Sequence, residues 1–457
     1  MDLEQLYARL PVFLQNAAVT AQGYRINRWR YGGDFDHVLA DCIKRAALNP
    51  ELLRAYQAVR LGELFRSAVQ TPFWNERFSQ YGIDPKVDDP FVEITKLPVL
   101  TKDEAKSSVA RITNQSYPRR ELIGRHTSGT TGSGLVFTGT RLSEQETWAV
   151  WWRYRLRHGI TRDTWCGYFG GRSVVPAKQA RPPFWRTNYA GRQIMFSAYH
   201  LNEKNASAYL DCLRTRKVSW LHGYPSVLSL LASFISDRSL EPVQSVRIVT
   251  TGAESLSDAQ RGQIERAFGA KVVEHYGQAE TVANISECEA GSLHVDEDFS
   301  LVEFEPLSNL PGRYRIIGTN WVNPAFPLFR YDTGDVASLD EKATCSCGRS
   351  GRIVSQIDGR IEDYLVLPDG TKIGRLDHIF KDCINIREAQ IYQAHDGRIT
   401  FRIVKGDQYS AADQAQLEAE VRKRLGSGIH FDIQYCAEIT RTASGKLRFV
   451  VSEFSKS

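Results

Sequence analysis

The sequence predicts an α/β fold: a large N-terminal domain with mostly parallel sheets and a β-rich subdomain, then a small α+β C-terminal domain. With 457 residues the chain is too long for one ordinary core. From Trp165 onward, short strand-like runs alternate with amphipathic helices, which is typical of βαβ units and a parallel sheet. After Gly291 the runs become hairpin-like, and the pattern changes again near Asp358. We therefore assign residues 1–357 to the large domain and 358–457 to the small one.

The individual elements follow from apolar periodicity. Roughly the first hundred residues are predicted to be helical, because apolar side chains recur every three or four residues, as in 52–69. In the alternating region, strands are predicted at 165–169, 218–221, 246–249 and 271–275, and helices at 203–216, 226–237 and 258–268. The β-rich subdomain has predicted strands at 301–304, 313–317 and 336–339. The C-terminal domain has a predicted hairpin turn at 368–370, a helix at 375–382, strands at 389–393 and 399–404, a helix at 411–425 and two final strands.

Composition and charge argue against several kinds of partner. The formal net charge of +5 is small for this length and the basic residues are spread out, so no nucleic acid is expected. The longest apolar stretch, 227–235, is too short to span a bilayer, so no membrane is expected. The N-terminal residues lack the apolar core of a secretory signal. Eight cysteines without such a signal indicate a reducing compartment, the cytoplasm.

A glycine- and hydroxyl-rich loop covers residues 126–134, directly before an apolar segment. Glycine lets backbone N–H groups approach an anion, and serine and threonine add donors without bulk, so the loop is suited to phosphates. It lacks the lysine of the nucleotide-binding P-loop and the glycine spacing of the dinucleotide fingerprint. The alternative is a flexible polar surface loop.

Two further segments follow predicted strands of the parallel sheet, where ligands bind beyond the carboxyl ends. Thr251-Gly252-Ala253-Glu254 is well placed for a flat base, and Tyr276-Gly277-Gln278-Ala279-Glu280 follows another strand. In the second segment Tyr276 offers a stacking face and Glu280 a hard oxygen ligand for Mg²⁺. The alternative is that both are ordinary strand-to-helix turns.

Asp335 and Lys446 are two further candidate binding or catalytic residues. Asp335 lies in Arg330-Tyr331-Asp332-Thr333-Gly334-Asp335, and a carboxylate can accept both hydrogen bonds of a vicinal diol such as ribose. Its alternative is an Asx-type turn with a surface ion pair. Lys446 lies on a loop of small residues near the chain end, where a lysine is usually exposed to solvent.

In this order these segments resemble the adenylate-forming superfamily of acyl- and aryl-CoA ligases, peptide-synthetase adenylation domains and luciferases. More narrowly they are similar to the phenylacetate–CoA ligase branch and its relatives from capsular polysaccharide biosynthesis. The matching segments are 127–132, 251–254, 276–280, 331–335, 359–363 and 442–446, and they extend over about seven-tenths of the chain.

The resemblance implies a role for each motif residue. The residues implied to hold the β- and γ-phosphates are Ser128, Gly129, Thr130, Thr131 and Gly132. Those implied to enclose adenine are Gly252, Ala253, Glu254, Tyr276 and Gly277. Glu280 would bind Mg²⁺, and Asp335 would bind the ribose hydroxyls with Arg360 nearby. Lys446 would reach the substrate carboxylate and the α-phosphate from a mobile C-terminal domain that rotates about a hinge at Glu362.

Some positions depart from the family pattern. Ala279 stands where a threonine or serine hydroxyl usually contacts phosphate, so either Thr281 substitutes or the contact is absent. Leu135 stands where many members carry a lysine, a difference that the phenylacetate branch shares. The hinge position, commonly aspartate, is Glu362, followed by Asp363.

Cys288, His294, Cys345 and Cys347 form a candidate metal site, because three thiolates and one imidazole suit tetrahedral Zn²⁺. Some members of the phenylacetate-like branch carry a similar set, so the resemblance supports a structural zinc. The alternative is that the cysteines are separate buried thiols.

The acid pocket is expected among residues that follow two predicted strands, since clefts for organic acids combine apolar walls with a few polar groups. The candidates are Phe169, Gly170, Arg172, His222 and Tyr224. Core packing is the alternative for the aromatic side chains Tyr168, Phe169 and Tyr224.

The expected function is ATP-dependent activation of a carboxylic acid, aryl or arylacetic, to acyl-AMP with release of pyrophosphate, then transfer to coenzyme A. The segment 365–371 differs from the glycine-rich strand of CoA ligases, so the alternative acyl acceptor is an amine or hydroxyl, in an amide or ester synthetase. A second alternative is a non-catalytic nucleotide-binding relative. The expected cofactors are ATP/AMP, Mg²⁺, a structural Zn²⁺ and coenzyme A.

Overall fold

A computed structural model of the chain gives the fold. The structure describes residues 3–86, 88–127, 135–170, 172, 174–176, 178–308, 310–340, 343–360, 365–366, 372–373, 376–380, 385–425, 429–442 and 447–454.

Helices dominate the first half of the chain. In chain order the α-helices are α1 Leu3–Arg9, α2 Val12–Arg30, α3 Phe35–Arg45, α4 Pro50–Ala68, α5 Pro72–Tyr81, α6 Pro90–Thr95, α7 Lys102–Ser107, α8 Val109–Ile112, α9 Arg141–Arg157, α10 Ala206–Thr215, α11 Pro225–Asp237, α12 Asp258–Phe268 and α13 Ala411–Leu425. Short 3-10 helices cover Arg119–Glu121, Ala198–His200 and Leu376–Phe380. Among the described helices, none combines the length and the apolarity that a bilayer span requires.

Strands follow from residue 122 onward. They are β1 Leu122–His126, β2 Val136–Thr140, β3 Cys166–Phe169, β4 Trp185–Asn188, β5 Gln193–Phe196, β6 Trp220–Gly223, β7 Ile248–Thr251, β8 Lys271–Gly277, β9 Asn284–Glu287, β10 Leu293–Val295, β11 Leu301–Pro306, β12 Arg313–Thr319, β13 Tyr331–Leu339, β14 Ile353–Arg360, β15 Leu365–Val366, β16 Lys372–Ile373, β17 Ile386–Gln393, β18 Ile399–Lys405, β19 Phe431–Tyr435 and β20 Val450–Ser452.

Local sequence signals explain where the helices near the site begin and end. The α12 helix begins with a capping box in which Ser257 and Gln260 satisfy each other's backbone N–H groups, and it ends at Gly269 in the left-handed conformation. The α11 helix begins with Pro225 in its first turn, where a missing N–H costs nothing. Helix α11 therefore starts just after β6 ends at Gly223, whereas a short segment separates α12 from the end of β7 at Thr251.

The chain forms two compact units. The first comprises Met1–Tyr24, Arg162–Glu274 and Asp358–Ser457. Its strands β8, β7, β6, β3, β5 and β4 lie side by side in that order, and every neighbouring pair is parallel except β4 with β5. Helices α10, α11 and α12 alternate with these strands, and together they bury one apolar core that includes Leu221, Leu228 and Val249.

The C-terminal part of this first unit has its own sheet and its own core. The strand order is β19, β18, β17, β20, with β17 and β18 antiparallel and both outer pairs parallel. Helix α13 contributes Leu417 and Val421 to a core that also contains Ile391 and Phe401. Strands β15 and β16 form a separate antiparallel pair.

The second unit comprises Arg25–Thr161 and His275–Ile357. It holds helices α3 to α9, the antiparallel β1–β2 pair, and strands in the order β11, β12, β13, β14, β10, β9, β8. Strand β8 passes from the first unit into the second between Glu274 and His275. The core beneath the antiparallel strands includes Ile285, Ile316 and Val354.

The predicted fold class is confirmed: parallel βαβ units, an antiparallel β-rich part and a C-terminal domain with a small sheet of its own. Several local predictions differ. Strand β13, predicted at 336–339, begins at Tyr331. The predicted helix 375–382 is a 3-10 helix over Leu376–Phe380, whose apolar side chains Leu376, Ile379 and Phe380 face the core in a tighter turn. Strands β6 and β7 lie two residues beyond their predicted positions, because their ladders continue through polar residues that the apolar runs do not include.

Candidate functional site

The predicted phosphate loop is the tip of the β1–β2 hairpin. The Thr127 backbone N–H donates to the Leu135 carbonyl at 2.9 Å, and the Leu135 N–H donates to Thr127 Oγ1 at 2.9 Å. These two bonds hold the ends of the loop together. The predicted phosphate-binding residues themselves lie outside the described residues: Ser128, Gly129, Thr130, Thr131 and Gly132.

Tyr276 and Asp335 meet although 59 residues separate them. Tyr276 Oη donates to Asp335 Oδ2 at 2.7 Å, and Gln278 Nε2 donates to Tyr276 Oη at 2.5 Å. Burial and the nearby Asp335 carboxylate raise the pKa of Tyr276, so the phenol keeps its proton and remains a donor. Tyr276, predicted to bind adenine, and Asp335, predicted to bind ribose, thus lie side by side near the end of β8 and in the middle of β13.

Glu280, the predicted Mg²⁺ ligand, is buried in the same unit. Tyr331 Oη donates to Glu280 Oε1 at 3.1 Å, and Asn320 Nδ2 donates to the Glu280 carbonyl at 3.0 Å. The next residue, Thr281, has φ of +59°, a left-handed conformation that is strained for a β-branched side chain and costs about 1–3 kcal/mol. The Thr281 hydroxyl is buried and donates to the Glu280 carbonyl at 2.6 Å. This bond does not favour Thr281 as the substitute for the hydroxyl that Ala279 lacks.

Arg125 joins the hairpin to the Tyr276–Glu280 segment, a role that the sequence analysis missed. Its Nη1 donates to the Ala279 carbonyl at 3.3 Å, and its Nη2 pairs with Glu144 Oε2 at 2.8 Å. The side chain is nearly buried, and burial lowers its pKa while Glu144 opposes the shift. An arginine in a strand directly before a phosphate loop was the available signal. Three segments of the second unit therefore converge: the hairpin, the end of β8 with Glu280, and the start of β13.

The parallel strands of the first unit end at one level. Phe169 of β3 is in register with Gly223 of β6, and Gly223 is in register with Thr251 of β7. The segments that follow these strands therefore begin at one edge of the sheet, where ligands bind in open parallel sheets. Gly252 directly follows Thr251, and Ala253 has φ of +67°.

The predicted acid-pocket residues of β3 divide into buried and exposed ones. The Phe169 ring is fully buried and stacks on Phe196 with centroids 4.6 Å apart, which favours core packing for this side chain. Gly170 is buried, and a Cβ there would lie 2.3 Å from the Tyr168 hydroxyl oxygen. Arg172 is exposed.

His222, near the end of β6, and Tyr224, just after it, are both half-buried. His222 Nδ1 lies 2.8 Å from Thr250 Oγ1, with the donor set by the tautomer. Tyr224 packs against the core of the first unit, and its backbone N–H donates to the Phe169 carbonyl at 3.2 Å.

Glu254 binds two backbone N–H groups from different parts of the first unit. Its Oε2 accepts from Ser226 at 3.1 Å and its Oε1 accepts from Leu447 at 2.9 Å. Burial raises the pKa of Glu254, while the hydrogen bonds from Ser226 and the Arg441 guanidinium oppose the rise. Arg441 Nη1 donates to Ser226 Oγ at 3.0 Å, and Arg441 also contacts Glu388.

Three of the predicted site residues belong to the C-terminal part of the chain, and the structure describes only the backbone of one of them. Arg360 is the last residue of β14, and its side chain is outside the described part of the chain. The predicted hinge Glu362 and the predicted catalytic Lys446 lie outside the described residues. The neighbours Thr442 and Leu447 of the 443–446 segment are described.

The four predicted zinc ligands come together in the second unit. Cys288 follows β9, His294 lies in β10, and Cys345 and Cys347 precede β14. Cys288 Sγ lies 3.5 Å from Cys345 Sγ, Cys347 Sγ lies 3.4 Å from His294 Nε2, and all four ligand atoms lie within 4.8 Å of one another. Tetrahedral zinc with bonds of about 2.0–2.3 Å sets its ligand atoms about 3.5–3.8 Å apart.

The hydrogen bond on the far side of the imidazole also fits a metal. His294 Nδ1 lies 3.1 Å from the Gly351 carbonyl, which can only accept, so Nδ1 carries the proton. The lone pair is then on Nε2, the atom that faces Cys347. A backbone carbonyl on the other ring nitrogen is the usual partner of a metal-bound histidine. The residues present therefore fit a zinc ion.

His275, next to Tyr276, is expected to make the free energy of unfolding of the protein depend on pH. Burial lowers the pKa of His275 to about 4, and its Nε2 lies 2.9 Å from Asn284 Oδ1. The folded protein keeps the ring neutral, whereas the unfolded chain takes up a proton below about pH 6.5. We therefore expect His275 to remove up to about 3 kcal/mol of the free energy of unfolding as the pH falls from about 6.5 to about 4. Urea unfolding at several pH values checks this.

The matched variant for that measurement is His275→Gln, which keeps a hydrogen-bond donor and does not titrate. At pH 7 the wild type is expected to be the more stable, and the difference is expected to shrink on acidification. An unchanged difference between pH 7 and pH 4.5 would show that His275 does not cause the loss.

Comparison with known proteins identifies relatives of this chain. The model of the CapK C-terminal domain family matches residues 365–453. The chain is 26% identical to protein CapK of Staphylococcus aureus over 458 residues, which cover 98% of this chain and 99% of the relative. It is 27% identical to a phenylacetate–coenzyme A ligase of Thermus thermophilus over 339 residues, which cover 69% of this chain and 72% of that enzyme.

The chain is a homologue of protein CapK and of the phenylacetate–coenzyme A ligases. The fold of this CapK homologue matches a solved 2-hydroxyisobutyryl-CoA ligase, in its postadenylation state with 2-HIB-AMP, with a TM-score of 0.70. That match has 19% sequence identity and covers 90% of this chain and 91% of the other. A second phenylacetate–coenzyme A ligase, from Aromatoleum evansii, is 24% identical over 332 residues.

Proposed function

We propose that the CapK homologue uses ATP to convert a carboxylic acid, aryl or arylacetic, to acyl-AMP and then transfers the acyl group to the thiol of coenzyme A. The observation that carries the proposal is the convergence in the second unit. Tyr276 bonds to Asp335, Tyr331 bonds to Glu280, and Arg125 of the hairpin bonds to the Ala279 carbonyl. Residues with complementary roles toward one nucleotide are thus neighbours although they are far apart in sequence.

The proposed chemistry explains the residue types. A carboxylate oxygen of the acid bonds to the α-phosphorus of ATP, and the bond to the β-phosphate oxygen breaks, so pyrophosphate leaves. Two anions must approach each other, and charge develops on the leaving oxygen. In the proposed site Lys446 neutralises the carboxylate and α-phosphate, and the hairpin N–H groups bind the leaving phosphates. Thiol attack on the acyl carbon then releases AMP.

Glu280 is the residue that would hold Mg²⁺. Its carboxylate is a hard oxygen ligand, and Tyr331 fixes one of its oxygens by a hydrogen bond at 3.1 Å. A bound Mg²⁺ would supply positive charge to the phosphates. Asp335 would accept hydrogen bonds from the ribose diol, and Tyr276 would offer its ring to adenine.

Acid-dependent exchange of labelled pyrophosphate into ATP tests the first step. With a panel of aryl, arylacetic and short hydroxy acids, at least one acid is expected to raise exchange well above the rate without acid. Equilibrium binding of ATP is measured in parallel. ATP binding without exchange for any acid would instead support the non-catalytic nucleotide-binding alternative.

A second candidate for the acyl acceptor is an amine or a hydroxyl. It is favoured by the C-terminal part, which matches the CapK C-terminal domain, while the aligned phenylacetate–coenzyme A ligase region covers only 69% of the chain. Hydroxylamine traps the acyl-AMP whichever acceptor is natural, and CoA consumes it only in a thioester-forming enzyme. Hydroxamate formation without CoA-dependent AMP release would favour the amine or hydroxyl.

We also propose a structural zinc at Cys288, His294, Cys345 and Cys347, and a C-terminal domain, 358–457, that moves as a body. The first is supported by the ligand-atom distances and the hydrogen bond from His294 to Gly351. The second is supported by the separate apolar core that this part of the chain contains. Cysteines 42, 166, 212, 288, 345, 347 and 436, those that the structure describes, form no disulfide, which fits the proposed cytoplasmic location.

A further inference from the structure

Two polar contacts hold the chain on either side of residues 443–446. On the carboxyl side, the Leu447 N–H donates to Glu254 Oε1 at 2.9 Å. On the amino side, Arg441 donates to Ser226 Oγ at 3.0 Å and contacts Glu388. Glu254 also accepts from the Ser226 N–H, so both contacts meet at the start of α11.

These contacts suit Glu254 for a task other than adenine binding. Each of its carboxylate oxygens already accepts a backbone N–H, one from the first turn of α11 and one from the residue after Lys446. The partners are 28 and 193 residues away along the chain. Hydrogen bonds to an ionised carboxylate are roughly twice as strong as those between neutral groups. The N–H groups of Ser226 and Leu447 both bind the one planar carboxylate of Glu254.

Two carboxylates and one guanidinium lie around this contact. Arg441 contacts the Glu388 carboxylate. Burial raises the pKa of both Glu254 and Glu388, and the Arg441 guanidinium opposes both rises. Arg441 therefore favours the ionised form of Glu254, the form in which both oxygens accept N–H groups.

We propose that Glu254 is a positioning residue that holds the chain beside Lys446 against the carboxyl ends of the parallel strands. Because Leu447 is covalently joined to Lys446, fixing the Leu447 N–H restricts where the lysine backbone can lie. This inference rests on the proposed function of Lys446. It predicts that Glu254 acts on the adenylation step through that lysine and makes no large contribution to ATP binding.

The test compares Glu254→Ala and Glu254→Gln with the wild type, with Glu438→Ala as the matched control. Glu438 is an exposed carboxylate three residues before Arg441, so the control also removes one carboxylate, close in sequence to residues 443–446. Glu254→Ala is expected to lower kcat of acid-dependent pyrophosphate exchange about 10- to 100-fold, the effect of losing a hydrogen bond to a charged group. The KM for ATP is expected to change less than about twofold. Glu254→Gln, which keeps one acceptor oxygen, is expected to lie between.

A second measurement does not depend on catalysis. Trypsin can cut after Lys446, and a chain held at Leu447 resists the protease. Glu254→Ala is expected to release the fragment that begins at Leu447 several times faster than the wild type or Glu438→Ala, as followed by mass spectrometry. Thermal melts check that the variants are folded. If Glu254→Ala is not folded, both measurements are made on Glu254→Gln instead.

Two outcomes would overturn the inference. A raised KM for ATP with kcat unchanged would assign Glu254 to adenine binding, and unchanged release of the Leu447 fragment would show that it does not hold this segment. Failure of the proposed function has a different signature, because the wild type would then show no exchange with any acid while the proteolysis result stands.

Discussion

Replacement of Lys446 by alanine is expected to lower acid-dependent pyrophosphate exchange by a factor of about a hundred or more, with ATP binding retained. In the proposed reaction the Lys446 ammonium meets the carboxylate and the α-phosphate only as they approach. A group that stabilises charge developing in the transition state typically supplies about 3–4 kcal/mol. Exchange kinetics and equilibrium ATP binding are measured on the same preparation.

The exposed Lys178 provides the control, since Lys178→Ala also removes one lysine charge from the surface of the first unit. That variant is expected to keep the exchange rate of the wild type. Exchange that survives in Lys446→Ala would mean that this lysine has no part in adenylation, and the assignment of the C-terminal loop would then be wrong.

Loss of zinc is expected to have the second large effect. Protein purified without added zinc is expected to contain about one zinc per chain, because four ligand atoms within 4.8 Å of one another suit a closed structural site. Cys288→Ser is expected to lose most of this zinc and to lower Tm by roughly 5–10 °C, since a structural zinc contributes several kcal/mol to folding. Elemental analysis and thermal melts measure the two effects.

Cys436→Ser is the matched control for that experiment. Cys436 is a half-buried thiol in the C-terminal sheet region and is not among the four clustered ligands. Its replacement is expected to leave both zinc content and Tm close to those of the wild type. Wild-type protein with no zinc would end the zinc proposal.

Much of the fold could be predicted because local pattern and tertiary structure agree. Helices α12 and α13 have the predicted bounds, since their apolar periodicity and, for α12, the capping residues define the ends. The cluster of Cys288, His294, Cys345 and Cys347 could be predicted because three thiols and an imidazole suit zinc and because members of the phenylacetate-like branch carry a similar set.

The rest could not be predicted because it depends on partners that are distant in sequence. Glu254 lies in a recognisable turn, but the N–H that it binds belongs to Leu447, 193 residues away. The strained φ of Thr281 depends on how Glu280 is held, and the role of Arg125 depends on the position of the Ala279 carbonyl. None of these pairings leaves a periodic signal in the sequence.

The bond between Tyr276 and Asp335 has a consequence for nucleotide affinity. The Asp335 carboxylate is already engaged by a phenol at 2.7 Å before any sugar arrives. An incoming diol must compete with that phenol, so it gains only the difference between two sets of bonds. In the proposed site the ribose would therefore add little to the affinity for the nucleotide. The Asp335 carboxylate would instead select nucleotides that have a free 2′-hydroxyl over those that lack it.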